Sequence, residues 1–204
     1  MKKYFLLVTF FIIRSVFADV TEATDIPAPL GLRWGVNASE LIKENEASQV
    51  YESGRIKFYV LKNTPIKIPG FDTEAIVDDK YGLVKIILSK DISDDINGIE
   101  GLGIYKEYKK ALKEKYGKPV SYEYIGRTLY TESDEFYQCL HYKGCGAYFS
   151  TFSPVKDSDA AISIDLQGTR RGEGTLKIVY ESMGFIKYLD EKKQAEKLDM
   201  QKGL

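Results

Sequence analysis

The feature that most constrains this chain is the order in which short strand-forming runs follow helical ones. Asn37 can cap a helix, with Glu40 three residues on completing a box-like pair, and that helix runs to about residue 47. It turns Ala38, Leu41 and Ile42 inward. Strands are predicted next over 55–61, 71–77 and 83–88, with breaks at Asn63-Thr64-Pro65 and Ile68-Pro69-Gly70 and a tight turn over 78–82. The third of these is apolar on both faces, which predicts a central position. A second helix over about 103–116 carries Ile104, Tyr108, Ala111, Leu112 and Lys115 on one stripe. Gly117 ends it, with Pro119 just beyond. Val120, Tyr122 and Tyr124 then alternate until the phase breaks near Gly126, as at a bulge. Further strands are predicted over 147–152, 161–166 and 175–180, the last two joined by a hairpin loop across 168–174. Gly184 opens a charged helix whose apolar side (Phe185, Tyr188, Leu189) fades after its second turn.

That order predicts an α+β fold: an antiparallel sheet built from two helix-plus-β-meander units, helices packed on one face, plus a C-terminal helix. No residue-level repeat links the two units. Residues 31–182 form the single domain, with halves at 31–90 and 99–182, and residues 183–204 the charged terminal helix. An aromatic content of 13%, much of it tyrosine in the strands, fits a sheet whose second face is partly wet.

The first 18 residues read as an address. Lys2 and Lys3 precede an apolar run over 4–13, and Val16-Phe17-Ala18 offers a cleavage site before Asp19. The segment is too short to span a bilayer. Residues 19–30 follow as a polar, proline-bearing, extended lead-in. Cleavage would remove three basic residues and leave 26 basic against 30 acidic, a net charge of −4. A mildly acidic surface disfavours nucleic acid and anionic lipid as partners. No later apolar run approaches membrane-spanning length, and Asp19 in place of Cys argues against a lipid anchor. The expectation is a soluble periplasmic protein with no membrane insertion after cleavage.

Cys139 and Cys145 have five residues between them, and Gly144 and Gly146 let the backbone turn sharply there. An oxidising compartment favours their pairing. A loop this small gains about 2.4 kcal/mol from cross-linking. A redox pair ordinarily takes the Cys-x-x-Cys form, and a zinc site needs more ligands than nearby His141 supplies. The expectation is a structural staple.

Two short motifs carry a resemblance. Gly31-Leu32-Arg33-Trp34-Gly35 leads into the first helix, and Lys115-Tyr116-Gly117-Lys118-Pro119 ends the second. With the Gly144-Cys145-Gly146 strand entry, the chain resembles small exported bacterial proteins of uncharacterised activity. The resemblance implies a bacterial, periplasmic protein and supplies no site.

Candidate chemistry is sparse. His141 is the only histidine, and no Gly-x-Ser-x-Gly motif surrounds any serine. In the acidic stretch 91–100, setting Ser93 first puts Asp95, Asn97 and Gly98 at positions 3, 5 and 6 of a calcium loop. Position 1 then lacks its carboxylate, and Ile104 stands where a bidentate Glu is required. Turn and helix-cap chemistry accounts for those residues better. No residue is therefore assigned a catalytic, cofactor-binding or metal role, and no cofactor is implied. Candidates for interaction are Trp34, which also reads as an anchor pinning the lead-in, and the hairpin pair Arg170 and Arg171. Two readings stand. One is a non-catalytic binding module for a periplasmic or envelope protein. The other is a hydrolase or small-ligand-binding protein whose site assembles only in three dimensions.

Overall fold

The computed structural model describes residues 25–156 and 158–203. The segment expected to be a signal peptide, its expected cleavage site and half of the lead-in fall outside them. The elements are α1 (Ala38–Asn45), β1 (Ala47–Ser53), β2 (Ile56–Leu61), β3 (Asp72–Asp78), β4 (Gly82–Ile92), α2 (Ile99–Tyr116), β5 (Val120–Tyr124), α3 (Phe136–His141), β6 (Ala147–Phe152), β7 (Ala161–Arg170), β8 (Glu173–Glu181) and α4 (Met183–Gly203). All eight strands form one antiparallel sheet in the order β1-β2-β3-β4-β8-β7-β6-β5. Each unit is thus a helix followed by a four-stranded meander. The last strands of the two meanders, β4 and β8, meet at the centre with Ile86 opposite Tyr180 and Leu88 opposite Ile178.

The helix-covered face holds the main core. Tyr59 and Leu61 of β2, Ile86 and Leu88 of β4, Ile162 and Ile164 of β7 and Ile178 of β8 lie in it beneath Leu41 of α1, Tyr105 and Leu112 of α2 and Phe136 and Tyr137 of α3. Asn37 accepts the N–H of Glu40 at 3.0 Å, which caps α1. The inward stripe of α1 is Ala38, Leu41 and Asn45, whereas Ile42 is exposed. The buried Asn45 amide nitrogen donates to the Leu41 carbonyl, while its Oδ1 is left without a hydrogen-bond partner.

The structure adds two elements to the expected order. β1 is an edge strand of Ala-Ser-Gln-Val-Tyr-Glu-Ser in which only Ala47 is buried, so no hydrophobic alternation marks it. α3 has six residues, too few to display a helical period. Helix α2 also starts four residues earlier than its glycines suggest. Gly98 closes the loop at φ +69° just ahead of the helix, but Gly101 lies within its first turn. A Cβ on Gly98 would sit 2.2 Å from the Phe136 ring, and one on Gly101 would sit 2.3 Å from the Tyr137 hydroxyl. Both glycines let the aromatic end of α3 pack against the start of α2. The central inward residue of α2 is accordingly Tyr105, fully buried, while Ala111 and Lys115 face outward. No bulge interrupts β5, whose register with β6 runs unbroken from Val120 to Tyr124.

Candidate functional site

Helices α1, α2 and α3 cover one face of the sheet, and α4 lies on the other. Its Phe185 and Tyr188 pack on a second, smaller cluster made by Ile56, Ile76 and Val84. Leu189, expected on that apolar side, is 42% exposed. A polar clamp holds the helix down. The Arg55 guanidinium lies 5.5 Å from the Tyr81 ring centre and 5.1 Å from that of Tyr188. It pairs with Asp78 and with Glu191 of α4, both at 2.6 Å. Lys80 and the Tyr81 hydroxyl also reach Glu191. These bonds, that from Lys80 foremost, pull the Glu191 carboxyl down to about 2.

The clamp covers only the β2–β4 end of this face, and the remainder is uncovered. Cross-strand register aligns Ile87, which packs in the small cluster under α4, with Val179, Ser163, Thr151 and Val120 beyond it in one row. The next row is Ser89, Lys177, Asp165, Phe149 and Tyr122. Aliphatic and aromatic groups therefore flank a central Lys177–Asp165 pair. Partial burial among these neighbours raises the Asp165 carboxyl above its ordinary value, against the lowering effect of the Gln167 amide, which donates at 2.6 Å.

The residues singled out in the sequence do not converge on this face. Trp34 is half-buried against the main core, and its indole N–H donates to the Ile26 carbonyl at 2.7 Å. It fastens the lead-in near the β3–β4 turn, where the Gly35 N–H donates to Leu83. Arg170 and Arg171 stand at the opposite end of the sheet, since Gly174 pairs with Ile92 at the far end of β4. Arg170 pairs with Glu173 at 2.6 Å, and Arg171 with Asp134 ahead of α3. Both arginines are thus neutralised by carboxylates of this chain. Cys139 and Cys145 form a disulfide with Cα atoms 5.1 Å apart, tying α3 to the strand entry of β6. Exposed His141 has its Nδ1 3.2 Å from the Gly168 carbonyl.

In the acidic loop, Asp95 caps α2. Its carboxylate accepts from the Ile99 and Gly101 N–H groups and from the Tyr137 hydroxyl, each at 2.8 Å. Among the described residues no three His, Cys, Asp or Glu side chains are grouped so as to hold a metal ion. Nor is any helix there long and apolar enough to cross a membrane. Two open clefts of about 530 and 520 Å³ lie beside the β3–β4 turn and along the β2–β3 connection. The first contains Asp78 and Asp79, but these are paired with Arg55 and Lys57. His141 lines neither cleft.

No family model matches the chain, and no curated protein or solved structure shows significant similarity to it. The two motifs that carry the resemblance have structural duties. A Cβ on Gly82 would sit 2.2 Å from the Gly35 carbonyl oxygen, so the first motif is laid tightly against the β3–β4 turn. Gly117, at φ +88°, closes α2 by donating to the Lys113 carbonyl. The arrangement that sequence reasoning missed is the division of the second face, half closed by α4 and half open. The signals for it were the tyrosine-rich strands and the apolar pair Phe185 and Tyr188 at the start of a helix otherwise polar.

Proposed function

We propose that this chain is exported to the bacterial periplasm and acts there as a non-catalytic module that binds another protein. The contact surface is the open half of the second sheet face. The observation that carries the reading is the band of half-buried Val179 and Phe149 and exposed Tyr122 beside Lys177 and Asp165. A surface with apolar groups around a charged pair suits a protein partner better than a small solute, which would need an enclosing pocket. Export is supported by the Lys2–Ala18 pattern, the resemblance to small exported proteins and the disulfide, which is at home in an oxidising compartment.

The test is capture from periplasmic extract on immobilised mature protein, repeated with Val179→Lys, Phe149→Lys and Lys177→Glu. Circular dichroism checks that each variant is folded. A captured protein lost with all three folded variants supports the reading. Capture indifferent to them removes this face as the contact, and an extract that yields no partner removes the binding-module reading. Mass spectrometry of the native protein should find its amino terminus at or near Asp19, and a full-length cytoplasmic form would refute export.

A further inference from the structure

The two outer strands of the sheet are unlike each other. β1 is disrupted by a register shift between Gln49 and Tyr51 and carries Ser48, Glu52 and Ser53, features that discourage edge pairing. β5 pairs with β6 without a break, and among the described residues its outer edge meets no other strand. Both edges expose apolar side chains, Val50 and Tyr51 on β1 and Val120 and Tyr122 on β5, so what distinguishes β5 is its unbroken ladder. An unbulged, apolar edge is a template for another strand. We propose that β5 is a self-association edge: two copies of this chain join β5 to β5 antiparallel about a two-fold axis at Tyr122, giving one continuous sheet.

The sequence of β5 fits its own reverse. Antiparallel pairing about a two-fold axis must be centred on a residue, because opposed side chains share a face. Centring on Tyr122 sets Val120 against the second copy's Tyr124, Tyr122 against its counterpart, and Ser121 against Glu123. Aromatic and β-branched side chains then meet across the seam, the pairs that favour sheet association. Centring on Glu123 would oppose like charges, and centring on Ser121 would leave Tyr124 facing Lys118. Only the Tyr122 register uses all five residues, and it extends to Ile125, 40% exposed, against Pro119. Glu123 also brings no unbalanced charge to the seam. Its carboxylate already accepts from Lys109 and from the Tyr105 hydroxyl of its own chain.

The experiment is sedimentation equilibrium of the mature protein across the micromolar range, for wild type, Tyr122→Lys and Val50→Lys on the opposite edge. Wild type and Val50→Lys are expected to dimerise alike. Tyr122→Lys should raise the dimer Kd by at least about 30-fold, the loss typical of a tyrosine anchor at an interface centre. Because Tyr122 is exposed, the Tyr122→Lys protein should match wild type in far-UV spectrum and, at concentrations below the dimer Kd, in urea midpoint. A Tyr122→Cys variant should also cross-link to itself under mild oxidation, and Val50→Cys should not. A monomer at every concentration, or a dimer unaffected by Tyr122→Lys, overturns the proposal. Protection of β5 amides only when an extract protein is bound would also overturn it, assigning the edge to a foreign strand. Val179→Lys and Lys177→Glu lie on β8, with two strands between it and β5, so capture by those two variants separates this proposal from the binding-module reading, whereas Phe149 is the cross-strand neighbour of Tyr122 and does not.

Discussion

Tyr137 is fully buried, and its hydroxyl donates to Asp95, the residue that caps α2. Removing that hydroxyl with Tyr137→Phe keeps the ring packing and deletes one bond to a charged acceptor. Such bonds contribute about 1.5–3 kcal/mol, so the variant should lose about 2 kcal/mol. Asp95→Ala does more. It strips the cap from the Ile99 and Gly101 N–H groups, costing about 1 kcal/mol. It also strands the buried Tyr137 hydroxyl at about 2 kcal/mol, giving about 3 kcal/mol in total. The double variant loses the cap and the bond once each, also about 3 kcal/mol, so the coupling energy should be about 2 kcal/mol. Urea denaturation of the four proteins at pH 7 measures it. A coupling below about 0.5 kcal/mol, within the scatter of independent sites, would refute the bond and the capping argument built on it. There is a pH signature as well. Burial opposes the charge on Asp95, but the bonds from Gly101, Tyr137 and Ile99 outweigh it and hold the carboxyl below its ordinary 3.8. Its contribution is therefore present above that value and is lost as pH falls through the lower folded one. The cost of Tyr137→Phe should shrink over the same acid range.

Three further outcomes concern how the lead-in and the terminal helix are held. Trp34→Phe keeps much of the ring but removes the indole N–H that Ile26 accepts, so it should cost about 1 kcal/mol in urea denaturation. An unchanged midpoint would mean that the lead-in is not fastened there. Arg55→Met leaves Asp78, whose side chain has no exposure, without its cation, a loss of about 3–5 kcal/mol; a folded variant of wild-type stability would remove the clamp from the account. Because Glu191 is pulled down to about 2, the clamp is intact above the ordinary glutamate value of 4.5. Hydrogen exchange should therefore show α4 amides losing protection as pH falls from that value towards 2.

Most of the sheet was legible because its strands alternate. The two-faced apolar pattern over 83–88 marked β4 as central, and it lies between β3 and β8. What escaped was structure held by backbone or by contact at a distance. β1 is fixed by its ladder to β2 rather than by burial, so a polar sequence serves. The start of α2 was hidden by glycines that serve Phe136 and Tyr137, residues about 35 positions away. The capping role of Asp95 was legible in outline, since the residue precedes a helix, but its third bond from Tyr137 was not. The candidate face was the least legible. Val179 and Phe149 look like ordinary core alternation, and only the placement of α4 determines which apolar positions remain uncovered.

The pairing of β4 with β8 also sets a timetable. Lys85 and Glu181 are partners across the centre of the sheet although nearly the whole second unit is threaded between them. A chain emerging amino terminus first completes its first meander long before β8 exists. During that interval β4 is an outer strand, paired with β3 but with nothing on the side that β8 will take. The first unit is therefore half of a folding unit and not a small domain, and its centre closes only when the last strand arrives. Contacts so distant in sequence slow folding, and it is a central strand of the molecule that is kept waiting.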